Sequence, residues 1–330
     1  MRLSSLVVGA PPSAADTRYS VLCGEASYTM ARMAVKQARR RSSEHTSSAR
    51  HSPEAVAGAA QLACVLEVSA EKPGNITPRH DFADTSYEDM LRSAIAIGPE
   101  LGRAGERGVG DTVVAAVRAT RRVAGSNTNL GIALLLAPLA RAALAGDGPP
   151  LRGRVEAVLG GLTLDDASAA YAAIREAGAG GLDEPVEHDV RDAPTVALRE
   201  AMALAAGRDS VASEYATGFA ITFDIGLPAL RGALAAGLGP RPATVEAFLA
   251  LLAAVPDTLV ARKRGAGAAR GVSEGAAGVL ADGGVRDAAG RAALEAFDAG
   301  LRRDGNALNP GTTADLVTAV LFVALLEGGL

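Results

Sequence analysis

Within the eighteen residues from Glu67 to Asp84 lie seven charged or titratable side chains and two prolines. Lys72 can meet phosphate oxygens as a point charge and Arg79 as a planar fork. Asp81 and Asp84 offer the hard oxygen ligands that Mg²⁺ takes, and either of them, or His80, has the chemistry of a general base. Glu67 falls at the end of the preceding helix-like run, where it can face the same space or be an ordinary surface carboxylate. Pro73 and Pro78 lack a backbone N–H and Gly74 follows Pro73, so no helix runs through this stretch. A loop of this composition between two helices is either a site for phosphate and metal chemistry or a solvated connector.

Three later segments place similar groups at helix ends. Ser126, Asn127, Thr128 and Asn129 lie between Gly125 and Gly131, just before an apolar helix. Their amides and hydroxyls, with the free N–H groups of a helix start, suit an anion or a ribose. The plain alternative is a helix cap, for which one such residue is enough. Gly311, Thr312 and Thr313 follow Asn309-Pro310 and open a second apolar helix, with Asp315 on its first turns. Asp315 either complements the helix dipole or holds a cation that bridges to phosphate. Asp257-Thr258 leads to Arg262, Lys263 and Arg264, cations that a helix C-terminus favours anyway and that could also clamp a polyphosphate. The reading requires all four segments to converge on one pocket. Further polar islands, from Glu187 to Asp192 around His188 and from Arg208 to Tyr215, have no evident structural need.

The elements that would position these loops are helices. Hydrophobic residues make up 48% of the chain but aromatic ones only 3%, with no Trp, so Ala, Leu and Val must build the core. Period-two runs rich in β-branched residues are nearly absent, which predicts an all-α fold. Ser52-Pro53-Glu54 reads as an N-cap, a first-turn proline and a first-turn acid; Thr85 with Glu88 reads as a capping box. Helical spacing continues over 109–123 and from Leu130. It recurs at 151–159, 165–177, 194–206, 209–223, 243–254, 256–263, 286–302 and 312–327. Glycine-rich breaks are expected at 178–181, 237–242, 265–278 and 283–284. Residues 51–330 are expected to form one multi-helix domain. Residues 1–50, Ser/Arg-rich and without periodicity, are expected to be a disordered tail or the result of a start assigned too far upstream, with Met30 and Met33 as candidate starts.

Net charge is −4, yet residues 1–50 hold eight Lys/Arg against three Asp/Glu, so the remaining chain carries −9. An acidic body argues against nucleic acid as a partner. Two cysteines, Cys23 and Cys64, form neither a disulfide framework nor a metal spacing, which fits a reducing cytoplasm. The longest apolar runs are about half of what a membrane span needs.

Together these segments resemble the triphosphoribosyl-dephospho-CoA synthase family. The matching pieces are Glu67-Val-Ser-Ala with Lys72-Pro73-Gly74, His80 with its acidic neighbours, Ser126-Asn127-Thr128, Asp257-Thr258 with Arg262, and Asn309-Pro310-Gly311 with Ala314-Asp315-Leu316. Order and rough spacing agree over about residues 54–327. Where the resemblance leads one to expect Asn-Thr-His-Lys-Gly, the chain has Asn127-Thr128-Asn129-Leu130-Gly131, and Asn75-Ile76-Thr77 replaces an apolar pair and Asp, so it resembles a divergent member. The resemblance implies cleavage of the N-glycosidic bond of ATP by the 2′-hydroxyl of dephospho-CoA, with adenine released and Mg²⁺ accompanying the triphosphate. It implies Asp81, Asp84, His80 and Glu67 as catalytic groups and Asp81, Asp84 and Asp315 on the metal. ATP and its phosphates would meet Lys72, Gly74, Asn75, Arg79, Ser126, Asn127, Thr128, Asn129, Arg262, Lys263, Gly311, Thr312 and Thr313. The expected partners are ATP and dephospho-CoA or a related small acceptor, with a homodimer as an allowed assembly. Two alternatives stay open: the same cleavage with another acceptor, and nucleotide binding without catalysis.

Overall fold

The computed structural model describes residues 51–125, 128–178 and 190–330. The expected tail, Ser126, Asn127 and the island at His188 lie outside them. The described residues form thirteen α-helices and no β-strand, as the composition predicts. These are α1 (Pro53–Ser69), α2 (Tyr87–Gly102), α3 (Val109–Arg121), α4 (Leu130–Leu144), α5 (Leu151–Gly160), α6 (Leu164–Ala177) and α7 (Leu198–Ala205). They continue with α8 (Ser210–Thr217), α9 (Leu227–Ala235), α10 (Pro240–Ala254), α11 (Thr258–Ala281), α12 (Ala288–Leu301) and α13 (Gly311–Leu326). A π-helical turn, Ile221–Gly226, precedes α9.

The apolar pattern decides which helix is central. α13 is hydrophobic on every side, and a helix of that kind must be covered all round. It is buried from Leu316 to Ala324 and packed by α1, α4, α8, α9, α10, α11 and the π turn. Each fully buried Leu, Val or Phe there contributes about 1.5–3 kcal/mol. Its N-terminus is thereby fixed deep in the body, and so is the N-terminus of α4, which packs against it. No single helix among the described residues is long and apolar enough to cross a membrane; two bent pairs reach that length only together, at bends of 93° and 47°.

Three local expectations change. Ser52 caps α1 through Ala55 N as read, but the capping box of α2 joins Ser86 to Asp89, one residue later than Thr85 and Glu88. The helix expected at 256–263 continues to Ala281, with a kink at Gly265 (φ 86°, ψ 161°). Gly275 within it is a packing position: a Cβ there would stand 2.5 Å from the Phe297 ring of α12. The third change concerns 209–223. α8 ends at Gly218, Phe219 follows with φ 62°, and the chain then passes through the π turn into α9, a helix the periodicity did not show.

A left-handed Phe costs on the order of 1–2 kcal/mol, and Glu214 helps hold it there. The Glu214 carboxylate, with no exposed surface, accepts hydrogen bonds from Ile221 N (2.9 Å), Thr222 N (2.7 Å) and the Thr222 hydroxyl (2.5 Å). Burial pushes its pKa up to about 7, helped by the nearby charge of Asp224 and opposed by those three bonds. Ionising a group whose folded pKa is raised destabilises the folded state. Its stabilisation is therefore complete below about pH 4.5 and lost as the pH rises through 7, a change of roughly 3 kcal/mol. Melting temperature measured from pH 4.5 to 8 should decline for this chain, and Glu214→Gln should flatten that decline; an unchanged slope in the variant would refute the assignment.

Candidate functional site

The first segment begins where α1 stops. Lys72 turns back on the last turn of α1, its side chain wholly inaccessible, 3.0 Å from the Glu67 carboxylate. It also donates to the carbonyls of Glu67 (2.5 Å) and Ala70 (3.3 Å). A lysine has three donors, so in this arrangement none is left for a phosphate. Burial raises the Glu67 pKa, against the pull of Lys72. Gly74 N donates to Asp298 Oδ1 at 2.7 Å and Arg302 donates to the Asn75 carbonyl at 2.7 Å, so the Lys72-Pro73-Gly74 turn is fastened to the end of α12. Its tip is a tight turn closed by Thr77 and His80, on which Arg79, His80, Asp81 and Asp84 are exposed. Arg79 pairs with Glu71 at 3.1 Å, and Asp81 accepts from Tyr87 N at 2.7 Å, at the start of α2. Asp84 reaches toward the fourth segment. Burial lowers the Lys263 pKa, while the charges of Asp257 and Asp84 act against it.

Two helix starts meet at one buried carboxylate. Asp257 Oδ1 accepts from Leu259 N (2.9 Å) and Val260 N (3.0 Å), capping α11. Its Oδ2 accepts from Thr313 N (2.7 Å) and the Thr313 hydroxyl (2.8 Å), on the first turn of α13. The negative group expected at Thr313 is thus supplied by the protein itself. Thr258 donates to the Thr312 hydroxyl at 3.3 Å. Around this joint, Arg262 pairs with Asp209 (2.7 Å), Lys263 donates to the Asn306 carbonyl (3.1 Å), and Arg264 lies 3.7 Å from Asp304.

Asp315 lies one turn further along α13, on the same face as Gly311. Its carboxylate accepts no hydrogen bond and makes no ion pair among the described residues. Dense protein around it raises its pKa well above the usual carboxylate value, and the charges of Glu67, Asp257 and Asp209 add to that, with Arg262 opposing. The start of α4 closes against it: a Cβ on Gly131 would stand 2.0 Å from Asp315 Oδ2, so any side chain there displaces the carboxylate. Asn129, two residues earlier, is 2% exposed, and its amide Nδ2 has no hydrogen-bond partner among the described residues. Asn309 Oδ1 is likewise buried and unpaired beside Gly311. Thr128 shares a 2.6 Å hydrogen bond with Ser93 of α2. Cys64 lies close enough to Glu67 and Asp315 that their charges, after burial, push its thiol up.

The structure therefore brings together Glu67, Asn129, Arg262, Lys263, Gly311, Thr312, Thr313 and Asp315. It sets Arg79, His80 and Asp81 on the exposed tip of the first loop, and Ser126 and Asn127 lie outside the described residues. No three His, Cys, Asp or Glu among the described residues are grouped to hold an ion by themselves. Sequence reading did not find the role of Asp257 as a joint, nor Ser93, Asp298 and Arg302. An Asp just before Thr258 signals a cap, but its partner Thr313 lies 56 residues away and leaves no local trace.

Removing Lys72 strands Glu67 as an unpaired buried charge. Lys72→Met should lower stability by about 3–5 kcal/mol in urea unfolding, and adding Glu67→Leu should restore much of that. A fully stable Lys72→Met protein would show that the pair is not structural.

A family model described as ATP:dephospho-CoA triphosphoribosyl transferase matches residues 53–330. A "Probable 2-(5''-triphosphoribosyl)-3'-dephosphocoenzyme-A synthase" of Azotobacter vinelandii is 40% identical over 102 residues, 31% of this chain and 34% of that protein. The 2-(5''-triphosphoribosyl)-3'-dephosphocoenzyme-A synthase of Klebsiella pneumoniae is 36% identical over 113 residues, 34% of this chain and 39% of that protein. The matched stretch thus spans little more than a third of these relatives. A crystal structure of a candidate triphosphoribosyl-dephospho-CoA synthase from Archaeoglobus fulgidus superposes with a TM-score of 0.58 at 28% identity, covering 73% of this chain and all of that one. The chain belongs to the ATP:dephospho-CoA triphosphoribosyl transferase family.

Proposed function

We propose that this chain transfers the triphosphoribosyl group of ATP to the 2′-hydroxyl of 3′-dephospho-CoA and releases adenine. The C1′–N9 bond of ATP breaks, a C1′–O2′ bond forms, and the hydroxyl proton leaves, overall, with adenine. The observation that carries this reading is the meeting of four distant segments around Asp315, with carboxylates on the inner side and Arg262 and Lys263 on the outer. A departing base leaves positive charge on the ribosyl carbon, which a nearby carboxylate stabilises. The triphosphate must stay intact, so it needs fixed cations.

Mg²⁺ fits as an ion carried in with the triphosphate, since it is commonly held by one or two carboxylates together with substrate phosphates. Asp84, exposed and within the field of Lys263, would meet it, and Asp81 has one oxygen already committed to Tyr87 N. The ion would neutralise phosphate charge. A second reading, the same cleavage with another small acceptor, draws support from Asn129 and Leu130 standing where the resemblance leads one to expect His and Lys.

Incubation with Mg²⁺ and ATP, with and without dephospho-CoA, followed by chromatography and mass measurement, tests both. Adenine together with a triphosphoribosyl adduct of dephospho-CoA is the expected result. Adenine without that adduct would favour another acceptor, and no adenine under any condition would overturn the transferase reading.

A further inference from the structure

We propose that the Asp315 carboxylate, together with the orphaned amides of Asn129, two residues before the Gly131 that abuts it, and of Asn309, beside Gly311 one turn before it, forms a subsite for the ribosyl end of a nucleotide, with the phosphates held apart on the Arg262–Lys263 side. The proposal rests on the reading that the ligand is an ATP-type nucleotide, and it reassigns Asp315 from the metal and phosphates to the sugar. Three observations carry it.

The first is charge. Glu67, Asp257 and Asp209 lie close enough to Asp315 to oppose its ionisation, against Arg262, which is itself paired with Asp209, and Lys72 is fully used within its own turn. A phosphate brought into that group would meet carboxylates with no free cation beside them, whereas hydroxyl donors would meet acceptors.

The second is the pair of orphaned amides. Buried polar groups are almost always hydrogen-bonded, and each exception calls for an explanation. Asn129 Nδ2 is a donor without an acceptor and Asn309 Oδ1 an acceptor without a donor. Both are neutral. A ribose diol supplies both complements, because each hydroxyl donates one hydrogen bond and accepts others.

The third is enclosure. Gly131 lies against Asp315 Oδ2 and Gly311 stands beside the Asn309 amide, so backbone without side chains lines one side of this end. The cations, in contrast, sit near the exposed tip of the first loop, where Lys263 feels Asp84. A nucleotide would lie with its sugar inward and its phosphates outward.

Calorimetric titration of the full chain with two probes separates the ends: adenosine, which has the sugar and no phosphate, and inorganic tripolyphosphate, which has the reverse. Asn129→Ala, Asn309→Ala and Asp315→Asn should each weaken adenosine binding about tenfold. They should leave tripolyphosphate binding within about twofold, the scale of a lost surface contact. Arg262→Ala should do the opposite. Asp315→Asn keeps the side-chain shape, and a thermal melt of each variant separates loss of binding from loss of fold. The proposal is overturned if the wild-type chain does not bind adenosine, or if Asp315→Asn and the two Asn variants weaken tripolyphosphate as much as adenosine. Adenosine binding that depends on Asp315 without any adenine release would retain the subsite and remove the transferase reading, so the two fail separately.

Discussion

Asp257 carries a carboxylate into the interior and places it between the starts of α11 and α13. Taking that group out of water is expensive and raises its pKa, while two backbone N–H groups from one helix and an N–H and a hydroxyl from the other oppose the shift. Both helices present their positive ends to it. This joint sets the direction of α13, the most enclosed helix of the body, and therefore the position of Asp315 one turn along. It sets the direction of the first half of α11 as well, and with it Arg262 and Lys263. The inner carboxylate and the outer cations are thus held at a fixed relation by one residue that touches neither end of the ligand we propose.

The site is electrostatically divided, and the division follows from what each element must bury. α1 ends inside the body, so Glu67 is enclosed and needs Lys72. α8 starts at Asp209, which caps its own helix and also takes Arg262. Those pairings leave the Asp315 carboxylate without a hydrogen bond or ion pair among the described residues. A carboxylate and two amides without partners among the described residues are what the ligand we propose would complete, since buried polar groups are otherwise nearly always paired.

Much of this was legible in the chain. The helical class followed from Ala, Leu and Val with almost no aromatic residues, and the four chemistry-bearing segments were visible as polar groups at helix ends. Their convergence was an expectation that the structure meets for Glu67, Asn129, Arg262 and Asp315. What could not be read was which donors are already spent. Lys72 looks like a phosphate ligand in one dimension, and only the fold shows it turned onto Glu67. Thr313 looks like an open anion site until Asp257 arrives from 56 residues away. Gly275 of α11 reads as part of a break because periodicity does not record that Phe297 needs its space, and the π turn arises from a burial of Glu214 that no local pattern announces.

The central claim is that the start of α4 and the carboxylate of α13 form one floor. Gly131→Ala tests it most directly, since the added Cβ would fall 2.0 Å from Asp315 Oδ2 and must displace that carboxylate. Displacing a reacting group by about an ångström commonly costs on the order of a hundredfold in rate. Measured as adenine release from ATP in the presence of dephospho-CoA, the account predicts a loss of about that size with a near-normal thermal melt. Wild-type turnover in Gly131→Ala would contradict it.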